Sequence, residues 1–316
     1  MYKKNIALKV AGLLILAGIF LAIAGVLMHG TFKSTIININ GINAIKESGE
    51  TLTTELISFK NIDISICSGR IELIKSNKNA VEYNLHDVEK VTVCEVIDDI
   101  FTFKTEARFT ISLFNFQDTY VKIYYKDDAE LENISLRTIS GSITANDILA
   151  KNITIKSTSG SQRVSNIKAD KIEFNEMSGS IKAANISCDI INVENNSGSV
   201  TIDGITCQDV SVRCISGSIK LYGADTGSAT IKDTSGSIYM QGSPKGKTLI
   251  NTLSGSIKVY SDLPKSEYGY KLHSTSGSTK VDDNTFKGSV GEEKANFIEA
   301  SNTSGSVKLY FNSIGK

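Results

Sequence analysis

The sequence predicts an all-β protein: a parallel β-solenoid of about nine to ten coils, capped by a β-rich N-terminal region and preceded by one transmembrane helix. Three observations predict the solenoid. First, the tripeptide Ser-Gly-Ser recurs, with its glycines at Gly141, Gly160, Gly179, Gly198, Gly217, Gly236, Gly255, Gly277 and Gly305. The steps are 19 residues up to Gly255, then 22 and 28. A fixed period of this length is the mark of a repeat architecture. Second, apolar residues alternate two and four places after each glycine, as in Ile181 and Ala183, Val200 and Ile202, Ile219 and Leu221, and again at twelve and fourteen, as in Ile172 and Phe174 or Val210 and Val212. Each alternation reads as a strand with one buried face. Third, the position six after glycine holds Asp147, Asn166, Asn185, Gly204, Gly223 and Gly242, residue types that tolerate a left-handed backbone. One coil is therefore strand, turn, strand, Ser-Gly-Ser turn. With no helix between the strands, coils stack in parallel about 4.8 Å apart, and nine of them make a rod on the order of 40 Å long. Right-handed winding is the default for such crossovers. The flanking serines fall in two columns whose hydroxyls can bond along the stack. The motif reads as a structural turn.

Residues 1–9 carry Lys3, Lys4 and Lys9 and no acid, and read as a cytoplasmic tail. Residues 10–28 are an unbroken apolar or glycine run, long enough to cross a bilayer once. The basic flank keeps the N-terminus in the cytoplasm and sends the remainder to the extracytoplasmic side. A cleaved signal peptide is the competing reading, because Ala22-Ile23-Ala24 precedes Gly25 as at a small-residue cleavage site. The apolar run continues past that site to Met28, which favours an uncleaved anchor.

Residues 29–57 are polar and mixed and read as a membrane-proximal stalk, with a short strand at Thr35–Ile39. Residues 58–130 form the N-terminal β region. Phe59, Ile62, Ile64 and Ile66 alternate with polar residues and lead into Cys67-Ser68-Gly69-Arg70-Ile71, a degenerate copy of the repeat and so the first coil. From Val81 to Asp127 the period breaks while the alternation persists, with acidic turns at Asp98-Asp99 and Asp127-Asp128. A solenoid exposes core and strand edges at its ends, so this block is the expected cap. The regular coils occupy 131–316, with insertions around Pro264–Tyr268 and Asp282–Lys294 that belong in loops. The chain ends without an evident capping helix.

The N-terminal anchor, the Val121–Tyr124 strand and coils of the type Leu136–Ile143 together resemble a bacterial "putative adhesin" family, a domain of unknown function that includes LiaG-like envelope proteins. The resemblance covers about residues 58–311. It implies a surface or envelope-stress role and carries no functional residues over.

Composition excludes several functions. Formal net charge is zero, so nothing marks a nucleic-acid partner. Five cysteines are an odd number and no CxxC occurs, which argues against a full disulfide framework and against a zinc site. Cys188 and Cys207 share a place in adjacent coils. Their stacked Cα atoms lie within disulfide range, but parallel Cβ vectors and the alanines at Ala150 and Ala169 in the same column favour small buried side chains over a bond. Asp170 and Asp189 also share a column, as a weak Ca²⁺ pair or as a solvated turn. No nucleophile, base and orienter assemble from the columns, and no cofactor is implied. The three histidines, His29, His86 and His273, fall in unrelated places.

One exposed column is unusual. Three residues after glycine come Thr144, Arg163, Lys182, Thr201, Lys220, Tyr239, Lys258, Lys280 and Lys308; two places further stand Tyr222, Tyr260 and Tyr310. Like charges on neighbouring strands repel, so this strip is unfavourable unless an anion compensates. It is the candidate site for an anionic cell-wall polymer or a surface glycan. The same residues also have a purely structural reading, since Lys discourages edge pairing and Tyr suits strands. Function is accordingly expected to be non-enzymatic binding or scaffolding at the cell envelope. The rivals are a polysaccharide-acting β-helix enzyme and a sensor subunit that signals through its helix to a membrane partner.

Overall fold

The structure, a computed structural model, describes residues 51–85, 89–107 and 118–312. The basic tail, the transmembrane helix read over 10–28, the strand read at Thr35–Ile39, and both His29 and His86 lie outside the described residues. Among the described residues, no helix is long and apolar enough to cross a membrane.

The N-terminal region contains β1 (Leu52–Glu55), β2 (Asn61–Ser68), β3 (Arg70–Ser76), β4 (Ala80–Asn84), β5 (Glu89–Ile97), β6 (Ile100–Ala107) and β7 (Tyr120–Lys126). The regular coils follow as β8 (Leu131–Ser197), which winds on without a break, then β9 (Val200–Ser216), β10 (Ile219–Ser235), β11 (Ile238–Pro244), β12 (Lys247–Ser254) and β13 (Ile257–Ser261). After one 3-10 turn at Lys265–Glu267 come β14 (Tyr268–Val281), β15 (Asn284–Thr285), β16 (Gly288–Val290) and β17 (Asn296–Tyr310).

The repeat period sets the register. Parallel pairing joins Ile181 to Val200 and Val193 to Val212 between β8 and β9, then Ile202 to Leu221 and Val212 to Ile231 between β9 and β10. Every step is one 19-residue unit. The predicted alternation is the core: Ile143, Ile181, Val200, Ile219 and Ile257 are all fully buried, as are Ile172, Ile191 and Ile231. Each such side chain contributes roughly 1.5–3 kcal/mol of apolar burial. The corner six residues after glycine is left-handed as expected, with φ of 59°, 55° and 53° at Asp147, Asn166 and Asn185. Their side chains bond along the stack, Asn166 to Asp147 at 2.7 Å and Asn185 to Asn166 at 2.8 Å.

The glycines of the Ser-Gly-Ser turns form one column, and crowding fixes their identity as firmly as backbone conformation does. A Cβ on Gly160 or Gly236 would lie 1.5 Å from the carbonyl oxygen of the glycine one coil below. Backbone amides reinforce the column, with Gly198 N–H donating to Ser216 O at 2.8 Å and Gly236 N–H to Ser254 O at 2.9 Å. Serine hydroxyls meet at 3.3 Å in the pairs Ser199–Ser218 and Ser306–Ser256.

The coils do not stack in chain order at the C-terminal end. β12 and β13 pair with β17, not with β14, and β14 pairs on the far side of β17. The glycine column therefore runs Gly255, Gly305, Gly277. The steps of 22 and 28 residues are the chain passing over one empty level and returning to fill it. The N-terminal end is built alike. The first coil, β2 with β3, is followed by strands laid outside it: β6 pairs in parallel with β2 and β7 with β3, and the chain then returns as β8 on the inner side. Antiparallel strands close both outer edges: β5 on β6, β4 on β7 with β1 beyond it, and β15 and β16 on β14. An antiparallel strand ends the parallel ladder, which is how an open sheet edge is blunted. β1 lies within the range read from sequence as stalk, but it pairs with β4 and extends the cap.

Candidate functional site

The positions three residues after glycine line up in one column on the outer face. β8 to β10 carry Lys182, Thr201 and Lys220 in register. Tyr239, Lys258, Lys308 and Lys280 follow on consecutive levels. The exchange of the last two coils sets Lys308 between Lys258 and Lys280. Three ammonium groups are thus carried on strands about 4.8 Å apart. Arg163 stands at the same place on the Gly160 coil, nearer the N-terminal cap. Arg163, Lys182, Lys220 and Lys258 are exposed, while Lys280 and Lys308 are partly covered.

Some lysines elsewhere are matched with acids, as Lys122 is with Glu82 at 2.9 Å, Lys151 with Glu132 at 2.8 Å, Lys156 with Glu173 at 3.1 Å and Lys245 with Asp225 at 2.9 Å, while others such as Lys168, Lys171 and Lys232 have no ion pair among the described residues. Among the described residues, none of Arg163, Lys182, Lys220, Lys258, Lys280 and Lys308 has an ion pair.

The tyrosines form a continuous rail beside the lysines. Ring centroids are 5.2 Å apart for Tyr222 and Tyr239, 5.4 Å for Tyr239 and Tyr260, and 4.8 Å for Tyr260 and Tyr310. The last two rings are stacked, with planes 11° apart. Tyr239 belongs by sequence to the lysine column, yet its ring leans across to fill the level where Gln241 faces Tyr260, and its hydroxyl lies 3.2 Å from the Gln241 Oε1. The Tyr310 hydroxyl donates to Asp283 at 2.9 Å. Burial, then the hydrogen bond to that carboxylate, pushes Tyr310 up to about 12. Burial also raises Tyr239. Tyr239 and Tyr310 are therefore protonated at neutral pH. Tyr260 and Tyr310 cover each other's faces, while Tyr222–Tyr239 and Tyr239–Tyr260 are tilted by 42° and 36°, so the rail presents edges as well as partly covered faces. An aromatic edge carries partial positive charge. Together with the ammonium groups it suits an anion better than the flat face of a neutral sugar. Arg163 and Lys182 lie beyond the rail, since the matching positions in their coils are Ser165 and Ala184.

A second column was not anticipated. Three residues before eight of the nine glycines stand Thr138, Ser157, Glu176, Asn195, Cys214, Asp233, Thr252 and Asn302, all buried, and before Gly277 stands Ser274, half-buried. Several donate to the carbonyl of the glycine one level below: Asn195 to Gly179 at 3.1 Å, Cys214 to Gly198 at 3.4 Å, Thr252 to Gly236 at 3.4 Å and Asn302 to Gly255 at 2.9 Å. Glu176 cannot donate as a carboxylate. It accepts instead from Ser157 at 2.5 Å and from Gln162 at 3.3 Å, a glutamine buried where other coils hold an aliphatic residue. Asp233 is the other acid in the ladder, with its Oδ2 buried and unpartnered. Burial pushes its carboxyl up to about 6. The recurrence of small polar residues at one offset was a readable signal, but the alternation points this position inward and so suggested nothing polar.

Asp170 and Asp189 are exposed on the rim of a groove, and among the described residues no cluster of three His, Cys, Asp or Glu side chains is gathered where it could hold a metal ion. His273 lies near Thr275 at 3.5 Å and joins no acid–base pair among the described residues.

Stacked coils, blunted ends and a charged outer face define a β-solenoid whose distinctive chemistry is spread along a surface. The chain belongs to the Toastrack DUF4097 family, whose model matches residues 57–313. Comparison with curated proteins found no match. Solved structures similar to it include a "putative lipid binding protein" from Parabacteroides distasonis, 18% identical over 83% of this chain and 97% of that one with a TM-score of 0.45. A "putative adhesin" from Bacteroides fragilis is 13% identical over 84% of this chain and 98% of that one, with a TM-score of 0.44.

Proposed function

We propose that this chain is a non-enzymatic, membrane-anchored solenoid that binds an anionic polymer of the bacterial envelope along its lysine–tyrosine face. The observation that supports this reading is the run of unpaired lysines beside a rail of tyrosine edges. Lys258, Lys308 and Lys280 repel one another when the face is bare, and an anion laid along the column removes that repulsion. The coil spacing presents charge at regular intervals, which suits a chain of repeating phosphate or carboxylate groups. The apolar run at 10–28, with its basic flank, supports an anchor that holds this face outside the cytoplasm.

Replacing Lys220, Lys258, Lys280 and Lys308 by Gln leaves every core contact in place. The expected outcome is a melting temperature no lower than the parent's, and slightly raised because the repulsion goes with the lysines, together with at least a tenfold loss of sedimentation with isolated cell walls. Wall binding equal to the parent protein would remove the proposal. Walls stripped of their anionic polymer should bind neither protein.

A further inference from the structure

Two thiols outside the lysine–tyrosine face are placed for chemistry. Cys188 and Cys207 are directly paired in the parallel ladder between β8 and β9. Their Sγ atoms are 2.8 Å apart, and both are free thiols. Stacked parallel strands hold Cα atoms about 4.8 Å apart, inside the span a disulfide bridges. Closing to a bond needs the sulfurs to approach by less than 1 Å, since an S–S bond is about 2.05 Å long. The parallel Cβ vectors that weighed against a bond in the sequence do not hold the sulfurs apart.

The site is also open to a reagent. Ala150 and Ala169 continue the same column below, and these small side chains leave a groove of about 400 Å³ whose walls include Lys168, Asp189 and Lys245. Cys188 is half-buried at the groove and Cys207 lies beneath it, 4% exposed. In the dithiol the Cys188 S–H donates to the Cys207 sulfur, which holds Cys207 below the usual thiol range and raises Cys188. The other cysteines are committed elsewhere or far off. Cys214 donates to Gly198 O, and Cys67 donates to Thr105 O at 3.7 Å. Burial raises Cys94, in β5.

We propose that Cys188 and Cys207 are a disulfide-forming site that staples two neighbouring coils by exchange with an external disulfide. Cys188, the thiol that the groove exposes, passes its proton to the Cys207 sulfur it faces and attacks one sulfur of the external disulfide; that S–S bond breaks, and the first external thiolate leaves and takes the proton from Cys207. A mixed disulfide at Cys188 results. The Cys207 thiolate then attacks the Cys188 Sγ and displaces the second external thiolate, which is protonated in turn. Two protein thiols are oxidised, one external disulfide is reduced to two thiols, and no other reactant is needed.

The test uses the full chain in detergent, folded, exposed to oxidised glutathione, then acid-quenched, unfolded, alkylated and mapped by mass spectrometry. The expected product joins the Cys188 and Cys207 peptides and leaves Cys67, Cys94 and Cys214 alkylated, with a higher urea midpoint than the reduced protein. Cys188→Ala, which extends the alanine column already present, should fold and give no cross-link. Separate alkylation of Cys188 and Cys207, or a mixed glutathione disulfide that persists on Cys188 in the folded protein, would overturn the proposal. So would a cross-link that appears only when the protein is oxidised in urea.

Discussion

Asp233 shows what a single side chain does inside this stack. Its place in the buried ladder is one from which Asn195, Cys214, Thr252 and Asn302 donate to a glycine carbonyl, and a carboxylate has no proton to give. Its ladder neighbours, Cys214 and Thr252, bring no compensating cation. The folded value of about 6 lies above the ordinary 3.8. A group raised in this direction stabilises the fold fully below about pH 3.8, and that contribution is lost as pH rises through about 6. Asp233→Asn supplies a permanent donor. Urea unfolding of the two proteins at pH 4 and pH 8 should show the variant gaining on the parent mainly at pH 8. An equal difference at both pH values would show that Asp233 is not a buried titrating acid. At this scale the sequence was half legible. The glycines, the left-handed asparagines and the aliphatic alternation were plain in the repeat. Gln162, Glu176 and Asp233 were not, because an inward polar residue is intelligible only once its neighbour one level away is known.

Elements carry the largest surprise, which is the exchanged order of β14 and β17. Coil period specifies that each coil stacks on another and leaves open which one. Every coil offers nearly the same aliphatic edge, so the order is decided by loop length and by what can tolerate the end. Two signals in the sequence bear on this. Steps of 22 and 28 residues exceed what a turn needs. The Gly277 coil also has Thr279 where Gly305 has Val307, and Thr279 turns its hydroxyl to Phe286 O in the cap. Aromatic side chains gather where the stack ends, with Tyr270 against Phe286 at 5.1 Å and Tyr83 against Phe103 at 5.1 Å. They cover the last aliphatic layer, a role invisible in a composition that is merely poor in aromatics. The arrangement makes the C-terminal strand an interior one. In amide hydrogen exchange Ile298, Ala300, Val307 and Leu309 should be protected as strongly as Ile250 and Val259, and more strongly than Asn284 to Val290. Fast exchange across β17 would mean that the coils follow chain order after all.

At the scale of the whole stack, contacts among the described residues are mostly between adjacent levels, so stability builds nearly additively along it and the two blunted ends set its limits. Such a body has long outer faces and little enclosed space, and its chemistry is a matter of what those faces present. The repeat exposed the architecture in the sequence because it constrains every coil. The face was legible only as two separate columns. That Tyr239 crosses over to complete the rail, and that the lysines lack acidic partners, required side chains in place. Function was least legible, because a binding strip and a soluble edge draw on the same residue types. The direct measurement is calorimetric titration of the full chain with a purified poly(glycerol phosphate), repeated from about 0.05 to 0.3 M salt, since exposed charge contacts are screened over that range. Binding through the face requires an affinity that falls steeply with salt in the parent and is weak and nearly flat in the protein with Lys220, Lys258, Lys280 and Lys308 changed to Gln. Superimposable curves for the two proteins would contradict it.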